Sequence, residues 1–300
     1  MKDILIIGAG MAGLTSAIYA VRAGKSVLVL EKEGIGGQIA TSPKVENYPA
    51  AASVSGAELS DRLYEQATSL GAEVDFGCVT ALKREEDGFI AVTEEGEIRA
   101  KSVILATGVK PRKLGVSREE EFFGRGVSYC AVCDGAFFRG MDVAVAGGGN
   151  TALSAALFLS GICRTVTLIH RRDAFRAEDY LQDEVRKKEN IRLCLSANVT
   201  ALSGEGALEA VTVTGVRGEE RIPVSGLFVC IGKIADNAAF APLVQLDAEG
   251  YIVASENCRT SAEGVFTAGD CRTKDIRQLT TAAADGSVAA LAACDYLNRH

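Results

Sequence analysis

The chain is 300 residues long with 48% hydrophobic and 24% charged residues, a globular composition of about two domains at roughly 150 residues each. Lys and Arg total 32 against 39 Asp and Glu, a net charge of −7, with no Trp and 6% aromatics; this argues against a nucleic-acid or anionic-membrane surface. No apolar run reaches the roughly 20 residues of a spanning helix, and a strand begins at once with Ile4–Ile7, so the expected compartment is the cytoplasm, where thiols stay reduced.

From Asp3 the sequence reads DILIIGAGMAGLTSAIYAVRAGKSVLVLEK. A continuous apolar strand, a glycine-rich turn, an Ala/Leu-rich helix and a second apolar strand follow one another. This is the βαβ dinucleotide fingerprint: Gly8 permits the tight turn, Gly10 lets backbone approach a pyrophosphate, and Gly13 lets helix and strand pack closely. Glu31 ends the second strand, where a carboxylate accepts from ribose hydroxyls. In the following EGIGGQIATSPKVENYP, residues Gly36, Gly37 and Gln38 form a flexible loop placed to pass beside a ring system. ILATGVKPR is a further strand that ends in the Thr107–Gly108 turn.

YCAVCDGAFFRG sets Cys130 and Cys133 in a C-x-x-C, with Asp134 directly after. A four-cysteine zinc site needs a second pair, and the sequence has none at suitable spacing. A redox dithiol and a chance pair remain. Cysteines so spaced can close a disulfide and exchange it with a partner, and Asp134 is close enough to give or take a proton. The other cysteines are scattered singly and are expected to be inert.

From Asp142 the fingerprint recurs as DVAVAGGGNTALSAALFLSGICRTVTLIHR, aligned on the first copy without a gap. Gly147, Gly149 and Ala152 fall on Gly8, Gly10 and Gly13, with Asn150 and Thr151 between. Where the first copy has Glu31 the second has His170, followed by Arg171, Arg172 and Arg176. A carboxylate repels a 2′-phosphate and guanidinium groups bind one bidentately. The first copy is therefore expected to hold an adenine nucleotide with a free 2′-hydroxyl, and the second to prefer NADPH to NADH. The plain alternative is that HRRDAFR is a solvated basic turn.

GVFTAGD is a short strand ending in Gly269 and Asp270, and a helix opens after Arg277 and Gln278. With the N-terminal fingerprint these segments make FAD the expected first nucleotide. The expected fold is α/β, with two Rossmann-like, three-layer nucleotide-binding domains. A discontinuous FAD-binding domain (1–113 and 246–300) would carry an inserted NADPH-binding domain (114–245) that also holds the dithiol.

In order, GAGMAG, GGQI with VENYP (containing Asn47), ATG, CAVCD, GGGNTA, HRRDAFRAE, TAGD and RQLTTAAADG resemble the low-molecular-weight, bacterial-type thioredoxin reductases nearly end to end. The resemblance implies a homodimer that uses FAD and NADPH to reduce thioredoxin or a thioredoxin-like protein, rotating one domain against the other between half-reactions. It implies Cys133 as the thiol nearest the flavin, Cys130 as the thiol that attacks thioredoxin, and Asp134 as the acid that manages the thiolate proton. The chain departs from the pattern at Ser154 and Ala155, where the family often has a Glu pair, and at KIADN after Gly232, where Pro-Asn is common. Competing expectations are a related flavoprotein serving another redoxin, one fed by ferredoxin, and a non-catalytic flavin redox sensor.

Overall fold

The computed structural model describes residues 1–300 apart from Thr41, Pro43, Ala52 and Arg217. The expected ring-facing loop, Gly36, Gly37 and Gln38, lies within the described residues. In chain order the elements are β1 (Lys2–Ile7), α1 (Met11–Arg22), β2 (Val27–Glu31), α2 (Gly56–Ser69), β3 (Glu73–Phe76), β4 (Val79–Glu85), β5 (Gly88–Thr93), β6 (Gly96–Leu105) and β7 (Lys110–Pro111). Then come β8 (Val127–Ser128), α3 (Ala131–Asp134), β9 (Asp142–Ala146), α4 (Asn150–Ser160), β10 (Thr165–His170), α5 (Asp179–Arg186) and β11 (Ile191–Leu195). The chain closes with β12 (Ala197–Ser203), β13 (Ala210–Gly215), β14 (Gly218–Pro223), β15 (Gly226–Val229), β16 (Lys233–Ile234), β17 (Val265–Thr267) and α6 (Leu279–Arg299).

Two compact units result: Met1–Lys110 with Ile234–His300, and Pro111–Lys233. The second crossing falls after Lys233, earlier than the expected boundary at 245, and the first after Lys110 instead of 113. Residues 234–245 stay with the first unit for a physical reason. Asn237 is fully buried there; its Nδ2 donates to the Gly250 and Cys271 carbonyls at 2.9 and 3.2 Å. Phe240 and Val244 then join the core that includes Leu5 and Ile252.

In the first unit β3, β2, β1, β6 and β17 form a parallel sheet, and β5 and β4 add an antiparallel branch to the start of β6. β1 is apolar on both faces because both are covered. Ile4 and Ile6 face one core with Leu14 and Ala17, while Leu5 and Ile7 face the other with Val103 and Val265, the two-residue alternation of a strand. Small residues let α6 lie close on α1: a Cβ on Gly286 would sit 2.4 Å from the Ala12 carbonyl oxygen. Ser16 Oγ donates to Ala12 O and Gly286 O at 2.8 and 3.0 Å, tying the two helices together.

The second unit repeats the plan. β11, β10, β9, β15 and β8 make a parallel sheet, and β12, β13 and β14 an antiparallel one. Val143 and Val145 of β9 face one core, Ala144 and Ala146 the other. The internal repeat therefore extends well beyond the aligned βαβ segments, into the three-stranded antiparallel part of each unit.

Candidate active site

In the first unit the nominated residues cluster at the carboxyl ends of parallel strands, where open α/β sheets bind ligands. Gly8 follows β1, Glu31 ends β2, Thr107 and Gly108 follow β6, and Gly269 and Asp270 follow β17. A Cβ on Gly8 would lie 2.3 Å from the Ala106 carbonyl oxygen, and one on Gly13 only 1.8 Å from the Gly8 oxygen; these two positions are closed to any side chain. Gly10 differs, because a Cβ there would meet nothing nearer than 3.9 Å. It borders open space in front of α1. That helix has no side-chain cap and no acidic residue in its first turn. α2, in contrast, is capped by Ser55 accepting from the Glu58 amide at 3.1 Å and carries Glu58 in its first turn. An uncapped helix start with a positive dipole end and a bare backbone in front fits a pyrophosphate.

Glu31 is buried, and its carboxylate accepts from the Ala9 and Glu33 amides at 2.8 and 2.9 Å and from Gly34 at 3.4 Å. It thus anchors the turn after β1 while keeping lone pairs for further donors. Gly36 donates to Ala9 O at 2.8 Å, which brings the Gly36–Gly37 loop to the same place. The Gln38 side-chain amide donates to the Val109 carbonyl. Asn47 Nδ2 reaches Gln278 Oε1 at 3.4 Å, so two nominated residues far apart in sequence meet at the start of α6. Thr107 Oγ1 donates to Asn237 Oδ1 at 2.7 Å. Arg277 is committed to backbone: its guanidinium donates to the carbonyls of Asp270, Lys274 and Arg272 at 3.2, 2.8 and 3.2 Å. It holds the loop after Asp270 in shape.

In the second unit Gly147 follows β9 and His170 ends β10. A Cβ on Gly149 would meet nothing within 4 Å, and α4 behind it has no side-chain cap and no acid in its first turn. This is the same open, positive helix start. Ala152 is fully buried beneath it. Asn150 exchanges two hydrogen bonds with Glu178, at 2.8 and 2.9 Å, and Thr151 is exposed. His170 is buried, with its ring 5.5 Å from that of Phe175 and its Nε2 3.2 Å from Ala174 O. A Cβ on Gly148 would fall 2.2 Å from that ring. Burial holds the imidazole pKa below its usual value, opposed by the Ala174 bond and aided by Arg176, Arg172 and Arg171. His170 is thus a neutral wedge under the basic turn. The three arginines are exposed, and among the described residues no carboxylate pairs with any of them. Guanidinium groups not already ion-paired fit a phosphate.

Cys130 and Cys133 are joined in a disulfide, with Cα atoms 5.3 Å apart. They sit just beyond β8, at the same carboxyl edge of the sheet as Gly147. The Cys133 amide points at Cys130 Sγ at 3.2 Å, a donor that stabilises a thiolate there. Ser128, missed by sequence reasoning, organises the pair: its Oγ accepts from the Cys130 amide at 3.0 Å and donates to Asp134 Oδ2 at 2.6 Å. Asp134 Oδ1 is buried with no hydrogen-bond partner. Burial raises the Asp134 pKa, and the Ser128 bond only partly opposes this. A carboxyl beside a disulfide that keeps its proton more tightly than usual is equipped as an acid.

The chain matches the family described as pyridine nucleotide-disulphide oxidoreductase over residues 2–286. It is 42% identical over 298 residues to a 34.2 kDa protein in the rubredoxin operon of Clostridium pasteurianum, spanning 98% of this chain and 97% of that one. Over 301 residues it is 42% identical to a thioredoxin reductase of Listeria monocytogenes, spanning 98% and 93%. The crystal structure of thioredoxin reductase from Streptococcus pyogenes matches with a TM-score of 0.95 at 39% identity, covering 100% of this chain and 99% of that one. The chain belongs to the pyridine nucleotide-disulphide oxidoreductases, a family that works with a flavin and a pyridine nucleotide. Among them it groups with the thioredoxin reductases. Among the described residues no helix is long and apolar enough to cross a membrane.

Proposed function

We propose that this chain is a cytoplasmic, homodimeric thioredoxin-disulfide reductase. Its first unit holds FAD, its second holds NADPH, and Cys130–Cys133 passes the electrons to thioredoxin or a thioredoxin-like protein. The observation that carries the reading is the disulfide beside the half-buried Asp134, in the same unit as exposed arginines that, among the described residues, are ion-paired with no carboxylate.

FAD, when bound, supplies the relay that turns a hydride from NADPH into an electron pair for the disulfide. The chain's residues do the rest. Gly10 with the start of α1, and Gly149 with the start of α4, receive the two pyrophosphates. Arg171, Arg172 and Arg176 select the 2′-phosphate. The disulfide takes up two electrons and two protons and opens to two thiols. Asp134 gives and recovers a proton as thiolates form and disappear. Cys130, with the Cys133 amide on its sulfur, is the better thiolate and attacks the partner disulfide; Cys133 then closes on Cys130 and releases the reduced partner. Cradle and dithiol share one unit and the flavin cradle belongs to the other, so rotation at the Lys110–Pro111 and Lys233–Ile234 crossings presents each in turn.

The test is direct. The purified protein should carry flavin and reduce thioredoxin with NADPH far better than with NADH. Cys133→Ser should abolish turnover; continued thioredoxin reduction by that variant refutes the dithiol route.

A further inference from the structure

The first unit buries a group of charges that the proposed chemistry leaves unused. The side chains of Arg272, Lys274 and Asp285 are 1%, 5% and 5% exposed. Asp285 Oδ2 accepts from Arg272 Nε and Lys274 Nζ, each at 2.8 Å, and Oδ1 accepts from Arg272 Nη2 at 2.8 Å. Such clusters contribute little net stability, because desolvating the ions offsets their attraction; aliphatic groups of similar volume do as well. What distinguishes this one is a further donor. The Gly269 N–H donates a hydrogen bond to Asp285 Oδ2 at 2.9 Å.

We infer that Asp285, clamped by Arg272 and Lys274, is a positioning residue for flavin binding, holding the Gly269–Asp270 turn in register with the start of α1. The inference rests on the reading of that turn as part of the flavin cradle. Gly269 adopts φ +83°, and a Cβ on it would sit 2.8 Å from the Ala12 Cβ, so the turn abuts the first turn of α1. Asp285 precedes Gly286, the residue that seats α6 on Ala12. One carboxylate therefore connects α6, the turn and, through Gly286, α1. From the other side Arg277 holds the carbonyls of the same loop. Two cations on a single carboxylate fix its direction, and the Gly269 amide is aligned by it.

The test is FAD titration of apoprotein, followed by flavin fluorescence, beside urea unfolding of the same apoprotein. Asp285→Asn keeps the shape and loses the charge; its FAD Kd should rise by roughly tenfold or more. A triple variant, Arg272→Met with Lys274→Met and Asp285→Leu, separates positioning from stability. Its urea midpoint should rise above that of Asp285→Asn, staying short of wild type by the Gly269 amide left without an acceptor, while FAD binding stays at least about tenfold weaker. Recovery of both in the triple variant, or Asp285→Asn binding within twofold of wild type, overturns the inference. If either chain fails to fold, Lys274→Met carries the test, since it leaves the Arg272–Asp285 pair intact. Its FAD Kd should rise several-fold, and an unchanged Kd overturns the inference. Wild-type apoprotein that takes up no FAD refutes the flavin reading and this inference with it; wild type that binds FAD with variants that bind equally refutes this inference alone.

Discussion

Asp134 and the arginines after β10 show how environment, more than residue type, sets a side chain's work. For Asp134 the buried carboxyl is easier to keep protonated, so ionising it opposes folding. Its folded pKa lies above its unfolded one, so the stability it contributes is full at low pH and lost as pH rises from the ordinary carboxylate range through the raised folded value. Asp134→Asn should therefore raise the urea midpoint at pH 8, and the difference from wild type should vanish at pH low enough to protonate both states. The same change should slow thioredoxin reduction by roughly 10²- to 10⁴-fold, the usual contribution of a general acid. For the arginines, Arg171→Ala with Arg172→Ala should raise the KM for NADPH roughly ten- to hundredfold, as charged hydrogen bonds are lost. The KM for NADH should barely change; equal losses for both nucleotides refute the phosphate assignment. His170 stands beside them in sequence but lies buried under the turn, so it shapes the cluster without adding charge to it.

At the scale of elements, the glycines of one motif divide into two kinds. Gly13 is closed by backbone at 1.8 Å, whereas Gly149 faces open space. Gly13→Ala should lower the apoprotein urea midpoint, because the clash outweighs the roughly 1 kcal/mol of helix propensity that Ala returns. Gly149→Ala should leave the midpoint nearly unchanged and raise the KM for NADPH, since its methyl group would enter the proposed phosphate cradle. Reversed outcomes would mean that Gly149 packs and Gly13 binds. The strand–turn–helix pattern was legible because each step is local: an apolar run, a glycine turn, then an uncapped helix start. The hydrogen bond from Asn47 to Gln278 was not, because the two residues are nominated separately and only the folded chain joins them.

For the whole molecule, the second unit is one uninterrupted segment with its own two cores. Residues 111–233 expressed alone should fold, with a single cooperative urea transition. Residues 1–110 alone should not, because α1 then lacks α6 and β6 lacks β17. A folded 1–110 fragment, or an unfolded 111–233 fragment, would show that the division into units is not a division into folding domains. The repeat's extent was only partly legible. Beyond the βαβ segments the two copies share an arrangement of strands: β4 and β12 are seven residues each and β5 and β13 six each, and only a short VTAL, at Val79–Leu82 and Val199–Leu202, marks the correspondence in sequence.

The sequence by itself determined the two strand–glycine turn–helix segments, the cysteine pair with its neighbouring acid and the basic turn. Each depends on residues a few positions apart, where turn geometry and strand or helix period act directly. The tertiary structure alone decided where the chain crosses between units, that Asn237 is a buried amide of the first, and that Arg277 supports a loop. It also decided that Asp285 meets Gly269, and that Ser128 joins Cys130 to Asp134. Those outcomes depend on burial and on partners brought together by sheet pairing and helix packing. A polar residue's role is then set by which buried donor or acceptor needs it.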